Sequence, residues 1–303
     1  VANLVTNVNW ISDRAGYLSL RVVIGVIRVD QDSSDVLIVD SGFDADTGKR
    51  ILRLLGEDGL RPWGVFITHS HADHRGGANV IRERARVKTY VGEAEACLCT
   101  KPQLFASQLY GSCPPKSLYT KTIMGEEATA VDEPVSTSSQ IGIKKLELLD
   151  LRGHSLGQMG VKIGDYVFSG DAAVSKDNLA KYGFNVFYSF SDFVKTLDNL
   201  AQLPVKGYVF SHGGLFDKNQ GVIQIESNKS IAMEICSMVA EGSGVVPLSA
   251  CVHEAAKRLM KFRDSLQEYL FLKTAVLSCA AHLEERGTIK LKVVNSELVV
   301  EHV

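Results

Sequence analysis

The chain has 303 residues, enough for one large domain or a core with a smaller appendage. Apolar residues at 45% and charged residues at 22% describe a globular protein and exclude a largely disordered one. A net charge of −2 excludes a global positive field for nucleic acid, and no apolar run reaches the roughly 18 residues of a membrane span.

The start shows no basic stretch, apolar run and small-residue cleavage site in succession, so the expected home is the cytoplasm. Residues 21–29 and 36–39 are rich in Val and Ile and read as strands; the second ends in the turn Asp40-Ser41-Gly42. Residues 44–55 carry apolar side chains at helical spacing, with Asp44 as N-cap and Gly56 as stop. Residues 63–68 form a short apolar strand, 78–85 a helix and 88–91 the next strand. Residues 93–99 read as helical and 101–124 as irregular, mixing aromatics with Gly111, Pro114 and Pro115. Long irregular segments in compact domains are usually functional, so residues of about 93–140 are expected to form an insertion or lid.

Strands are expected again at 145–151, 160–163 and 166–169, the last two joined by a Gly164-Asp165 hairpin turn. A helix follows at 191–203 and a strand at 207–210. Beyond residue 216 the pattern changes. Helices are expected at 222–239, 253–262 and 266–286, then a hairpin of 288–294 and 297–300 around Asn295-Ser296. This divides the chain into a catalytic core over 1–215 and a mainly helical region over 216–303. The six cysteines are expected to be mostly reduced, with a bridge from Cys113 to Cys97 or Cys99 left open.

The strongest chemical signal is the run His69-Ser70-His71-Ala72-Asp73-His74, directly after an apolar strand. Three of the chain's eight histidines fall within it. Imidazole nitrogen and carboxylate oxygen suit zinc, iron and manganese. Gly76 and Gly77 then let the backbone turn away closely. His154, Asp171 and His212 each follow an expected strand and lie beside or near glycine, the usual position for site residues on an α/β scaffold.

In this order the motifs resemble those of the metallo-β-lactamase-fold hydrolase superfamily. Asp40 resembles its first motif, the H-x-H-x-D-H run its second, and His154, Asp171 and His212 its third to fifth; all lie within the first 212 residues. The resemblance implies an α/β fold, a four-layer αββα sandwich, here with a small helical, winged-helix-like C-terminal subdomain. It implies two divalent metal ions, zinc first, with iron or manganese as alternatives. His69, His71 and His154 would hold one ion. Asp73, His74 and His212 would hold the other, with Asp171 between them and Asp40 orienting a ligating histidine. The ions would share a water, lower its pKa and stabilise the oxyanion that develops on attack. Asp73 could also hold or shuttle a proton.

Asp171 stands where many true β-lactamases carry cysteine, which points to the glyoxalase II, lactonase, phosphodiesterase and ribonuclease branches. Arg152 replaces the usual proline of the third motif. Val174 stands where quorum-signal lactonases carry tyrosine, which disfavours that subgroup. The expected activity is cleavage of a phosphodiester or other ester bond in a small-molecule substrate. A glyoxalase II-like thioesterase and an iron-dependent sulfur dioxygenase are the alternatives. Phe105, Tyr110, Lys116, Tyr119 and Lys121 are expected to border the pocket. The winged tail leaves nucleic acid open as a partner, but Glu284, Glu285 and Glu297 disfavour it, and a packing role or a homodimer contact is at least as well supported.

Overall fold

A computed structural model describes residues 7–259 and 265–303. It divides into two compact units. The first comprises the chain up to Leu151, with Gly157–Asp171 and Pro204–Gly221. The second comprises Arg152–Leu156, Ala172–Leu203 and Val222–Val303.

The first unit holds two sheets. The larger has seven strands in chain order: β1 (Asn9–Trp10), β2 (Ala15–Ser19), β3 (Val23–Arg28), β4 (Asp35–Val39), β5 (Arg61–Ile67), β6 (Lys88–Gly92) and β7 (Glu133–Val135). Strands β1 to β4 pair antiparallel; β4 to β7 pair parallel. Parallel neighbours need long crossovers. Helix α1 (Ala45–Glu57) makes the first. Helices α2 (Ala72–Arg75) and α3 (Ala78–Ala85) lie in the second. Helices α4 (Glu93–Thr100), α5 (Gln103–Tyr110) and α6 (Lys121–Met124) lie in the third. The smaller sheet comprises β8 (Leu146–Asp150), β9 (Met159–Ile163), β10 (Tyr166–Phe168), β11 (Gly207–Phe210) and β12 (Gly214–Asp217), in the order β12-β11-β10-β9-β8.

Strand alternation builds two cores from the same segments. Ile38, Val65 and Ile67 face one way and pack with Ile51, Leu54, Leu55 and Ile81 of α1 and α3. Leu37, Val39 and Phe66 face the other way and pack with Leu148, Val161, Phe168 and Val209 of the smaller sheet. Helices, sheet and sheet are therefore stacked as layers in this unit, the α/β architecture the sequence led us to expect.

The second unit contains α7 (Lys176–Tyr182), α8 (Phe190–Gln202), most of α9 (Lys218–Ala240), α10 (Leu248–Leu259) and α11 (Leu266–Glu285). Its small sheet, ordered β13-β15-β14, joins Val245–Pro247 (β13) to the hairpin of β14 (Ile289–Val294) and β15 (Glu297–His302). Asn295 and Ser296 make that turn with φ of +50° and +65°, as a two-residue hairpin loop requires.

Several expectations need correction. Residues 101–124 are not irregular: they contain α5, a 3-10 turn at Lys116–Leu118, and α6. Pro102 opens α5, Gly111 stops it at φ +80°, and the Thr120 hydroxyl caps α6. Helix α1 runs through Gly56, although Asp44 caps its start as expected by accepting from Thr47 N–H at 2.8 Å. Helix α9 begins at Lys218, not 222, and α10 begins at Leu248, not 253; positions 260–262 of that expected helix lie outside the described residues. Strands β1, β2, β7, β12 and β13 and helices α2 and α7 were not anticipated. All six cysteines are free thiols, so no bridge joins Cys113 to Cys97 or Cys99. Among the described residues, no helix is long and apolar enough to cross a membrane.

Candidate metal centre

The polar residues collect where strands end. Asp40 follows β4, Thr68 to His74 follow β5, Asp171 follows β10 and His212 follows β11. The β5 turn can be this tight because α2 backs directly onto the β4 turn. The Ser41 N–H and hydroxyl both donate to the His74 carbonyl, at 2.7 and 2.9 Å. Gly76 N–H donates to the Gly42 carbonyl at 2.8 Å. A Cβ at Gly76 would sit 2.1 Å from the Phe43 carbonyl oxygen, and one at Gly77 would sit 2.3 Å from that of Ser41. The two glycines serve close backbone approach.

Asp40 is the hub. It is buried and holds φ +65°, a region costly for non-glycine residues. Its carboxylate accepts from Thr68 N–H (2.8 Å), the Thr68 hydroxyl (3.0 Å), the Ser211 hydroxyl (3.3 Å) and His74 Nδ1 (2.8 Å). Four donors on one carboxylate fix both the strained turn and the His74 ring. With Nδ1–H committed to Asp40, His74 presents Nε2. The Thr68 hydroxyl donates to Asp40 and so accepts from His69 Nδ1 (3.0 Å), which turns His69 Nε2 outward in the same way.

The outward atoms meet. His69 Nε2 lies 3.0 Å from His71 Nδ1. His74 Nε2 lies 3.4 Å from Asp171 Oδ2 and 3.8 Å from Asp73 Oδ1. His212 Nε2 lies 3.2 Å from Asp73 Oδ2 and 3.3 Å from Asp171 Oδ2. Ligand atoms of His69, His74 and Asp171 lie within 4.8 Å of one another, as do those of Asp73, His74 and His212. The Asp171 and His74 side chains are buried, whereas His212 and Asp73 are partly open. His154 belongs to the second unit. There its Nδ1 donates to the Val186 carbonyl at 2.7 Å, so this ring too carries its proton on Nδ1 and leaves Nε2 as the lone-pair nitrogen.

These distances fit a cation. Atoms bound at about 2 Å to a tetrahedral ion sit about 3.4 Å apart. His74 Nε2 is buried without a hydrogen bond of ordinary geometry, as expected of an atom shaped for a metal. The charges agree. Burial opposes a charged His74 ring, yet Asp171, Asp40 and Asp73 outweigh it and hold the ring's pKa well above the ordinary value. Burial likewise opposes a charged His212, but Asp171 and Asp73 push it up to about 10. Burial would raise the carboxyls of Asp73 and Asp171, but His74 and His212 hold both well below the usual range. Without metal, two imidazolium rings stand among three carboxylates, a site that demands positive charge.

A pH dependence follows for the metal-free protein. The folded His212 value lies above the unfolded value of about 6.5, so its contribution to stability is full below about 6.5 and is lost as pH rises toward 10. The depressed carboxyls contribute above about 4 and fail only in stronger acid. Chelator-treated protein should therefore melt at progressively lower temperature from pH 6.5 to 10. His212→Gln should flatten that slope, and an equally steep decline in the variant would refute the assignment.

Of the residues expected to border a pocket, Phe105 on α5 is half-buried, its ring centroid 4.8 Å from that of His71. Tyr110, Lys116, Tyr119 and Lys121 are exposed, and Lys121 pairs with Glu126 at 2.5 Å. Four residues near the centre escaped the sequence reading: Thr68, Ser211, Glu95 and Arg75. The hydroxyls had no motif to mark them. Glu93 and Glu95 look alike in sequence, and only the packing of α4 exposes the first and buries the second.

Residues 20–212 match the family model described as the metallo-beta-lactamase superfamily. The chain belongs to this superfamily, and its α/β fold is that family's. Among individual relatives, it is 32% identical over 161 residues to the probable metallo-hydrolase YqgX of Bacillus subtilis, covering 50% of this chain and 69% of that one. It is 27% identical over 179 residues to a hydroxyacylglutathione hydrolase of Shewanella pealeana, covering 57% of this chain and 53% of that one. The chain thus spans about half the length of that hydrolase. A solved beta-lactamase domain protein from Burkholderia ambifaria superposes with a TM-score of 0.75 at 14% identity, covering 100% of this chain and 95% of that one. At that identity the likeness concerns the fold.

Proposed function

We propose that this chain is a dinuclear metal-dependent hydrolase that cleaves a phosphodiester or other ester bond in a small-molecule substrate. The single observation that carries this reading is the meeting of His74, His212, Asp73 and Asp171 through atoms 3.2–3.4 Å apart. In our assignment His69, His71 and His154 would hold one ion and Asp73, His74 and His212 the other, with Asp171 available to both. Nitrogen and oxygen ligands of this mix suit zinc, and also iron or manganese. Bound there, the ions would supply an activated water and stabilise negative charge on the substrate oxygen.

The chain's own residues do the rest. Asp40 and Thr68 hold the rings of His74 and His69 in one tautomer and orientation. Asp73 is the more open of the two cluster carboxylates, with 30% of its side chain exposed against 8% for Asp171. Its carboxyl is held well below the usual range and so is ionised at neutral pH, and it would orient an incoming O–H by accepting its hydrogen bond. Phe105 supplies an apolar wall beside His71. Tyr110, Lys116, Tyr119 and Lys121 stay candidates for contact with larger or anionic substrates. The free thiols suit a reducing cytoplasm.

A glyoxalase II-like thioesterase is the second reading, favoured by the likeness to the Shewanella pealeana hydroxyacylglutathione hydrolase. The two separate on a panel of an aryl phosphodiester, a glutathione thioester, a lactone and a cephalosporin, assayed after loading with zinc, manganese or iron. Hydrolysis of the phosphodiester or lactone with the highest kcat/KM supports the first reading, and of the thioester the second. His71→Ala should abolish whichever activity is found. Inactivity on all four substrates with every metal defeats the hydrolase proposal.

A further inference from the structure

Two buried charges of opposite sign, neither in the metal cluster, hold the residue between His69 and His71. Ser70 N–H donates to Glu95 Oε2 at 2.9 Å, and the Ser70 carbonyl accepts from Arg75 Nε at 2.8 Å. Glu95 is 0% exposed and Arg75 1%, the latter being among the largest fully buried side chains among the described residues. Burying an ionised side chain is costly unless hydrogen bonds replace its water. Both charges are so compensated. Glu95 Oε1 accepts from Gly157 N–H at 2.7 Å. Arg75 Nη1 donates to the Glu127 carbonyl (2.7 Å) and the Thr129 hydroxyl (3.1 Å), and Nη2 to the Met124 carbonyl (2.7 Å).

The placement matters because of what a peptide is. Two peptide planes separate the Cα atoms of His69 and His71. Each plane is rigid, and only the dihedrals at the Cα atoms are soft. Ser70 N–H belongs to the first plane and the Ser70 carbonyl to the second. Glu95 anchors one plane and Arg75 the other, so the clamp governs the separation of the two rings, now 3.0 Å between Nε2 and Nδ1.

We propose that Glu95 and Arg75 are positioning residues that set the bite of the His69/His71 pair on a metal ion. Arg75 also ties that bite to the segment of residues 124–129. The inference rests on the reading that His69 and His71 bind metal. Glu95→Gln keeps the shape but turns one acceptor into a donor, facing the N–H of Ser70 or Gly157. Arg75→Lys keeps the charge but cannot reach the Ser70, Met124 and Glu127 carbonyls together.

The test titrates Co(II) into the chelator-treated full chain and reads its visible absorption, alongside the melting of the metal-free protein. Each variant should bind Co(II) at least about tenfold more weakly, the scale of lost outer-shell support, and with an altered spectrum. In the double variant the losses should fall short of the product of the single ones, since both act on the same pair of planes. Wild-type affinity and spectrum in folded Glu95→Gln, even with a lowered melting temperature, would reduce the clamp to loop stability and overturn it. Fully multiplicative losses would overturn the shared target.

Amide exchange in the metal-free wild type provides a measurement that needs no variant. Ser70 N–H should be protected before any metal is added, and exchange at open-loop rates would sink the clamp. A wild type that binds no Co(II) while Ser70 is protected removes the metal reading instead, and the bite with it.

Discussion

Asp171→Asn is expected to lower hydrolytic activity by at least about 100-fold and to reduce the metal bound per chain. Asp171 Oδ2 sits 3.4 Å from His74 Nε2 and 3.3 Å from His212 Nε2, so a single oxygen faces both rings. An amide of the same shape can occupy the space but carries no charge, and its nitrogen is a donor where the site presents donors already. Substitution of groups that merely support a ligand costs about 10–100-fold in affinity or activity, so loss of a direct one should cost no less. The variant has a second signature that needs no substrate. Among the charged neighbours Asp171 is the largest influence raising His212, and it is also the largest on His74. In the metal-free variant the His212 ring should titrate well below the wild-type value of about 10, visible in its C–H resonances. Full activity and metal content together with an unmoved His212 would show that Asp171 stands outside the centre.

What the sequence revealed and what it hid have different physical origins. The strand-end candidate ligands were legible because their chemistry is rare and their spacing local: three imidazoles and a carboxylate within six residues after an apolar strand. The strands around them were legible as short Val- and Ile-rich runs, as in Val36 to Val39, whose side chains the structure divides between two cores. Elements whose stability comes from tertiary contacts stayed hidden. Helix α5 is eight residues long and buries only Ala106 and Leu109, too small a stripe to stand out. Strand β12 is only four residues long and has no fully buried position, and its pairing with β11 is a property of the sheet. The supporting shell was the least legible. Glu95 and Arg75 act through backbone groups of Ser70, and backbone groups leave no mark in a sequence. Asp40 was found only because a family motif marks it; nothing in Val39-Asp40-Ser41 announces a strained residue with four donors.

That supporting role makes Asp40→Ala a strongly damaging change outside the candidate ligands. Truncation strands Thr68 N–H, the Thr68 hydroxyl and His74 Nδ1 in a buried site. A buried donor left without its acceptor costs about 1–3 kcal/mol. Breaking a buried charged pair by removing one partner costs about 3–5 kcal/mol. The alanine would also have to hold φ +65° without the side-chain bonds that now keep the turn in place. Together these predict a loss of about 4 kcal/mol or more in the metal-free protein, a large part of a typical domain's stability. Metal affinity should fall as well, because a freed His74 ring can change tautomer and turn its lone pair away. Asp40→Asn separates the two effects. It keeps one oxygen acceptor and most of the shape, so the fold should survive. An amide cannot accept at both of its ends, so either Thr68 or His74 loses its partner, and metal affinity should drop about 10–100-fold. Chemical denaturation of the metal-free variants and Co(II) titration of Asp40→Asn measure the two separately. A stable Asp40→Ala variant would deny that Asp40 is the hub of the turn. An Asp40→Asn variant binding metal as tightly as wild type would deny that it orients His74.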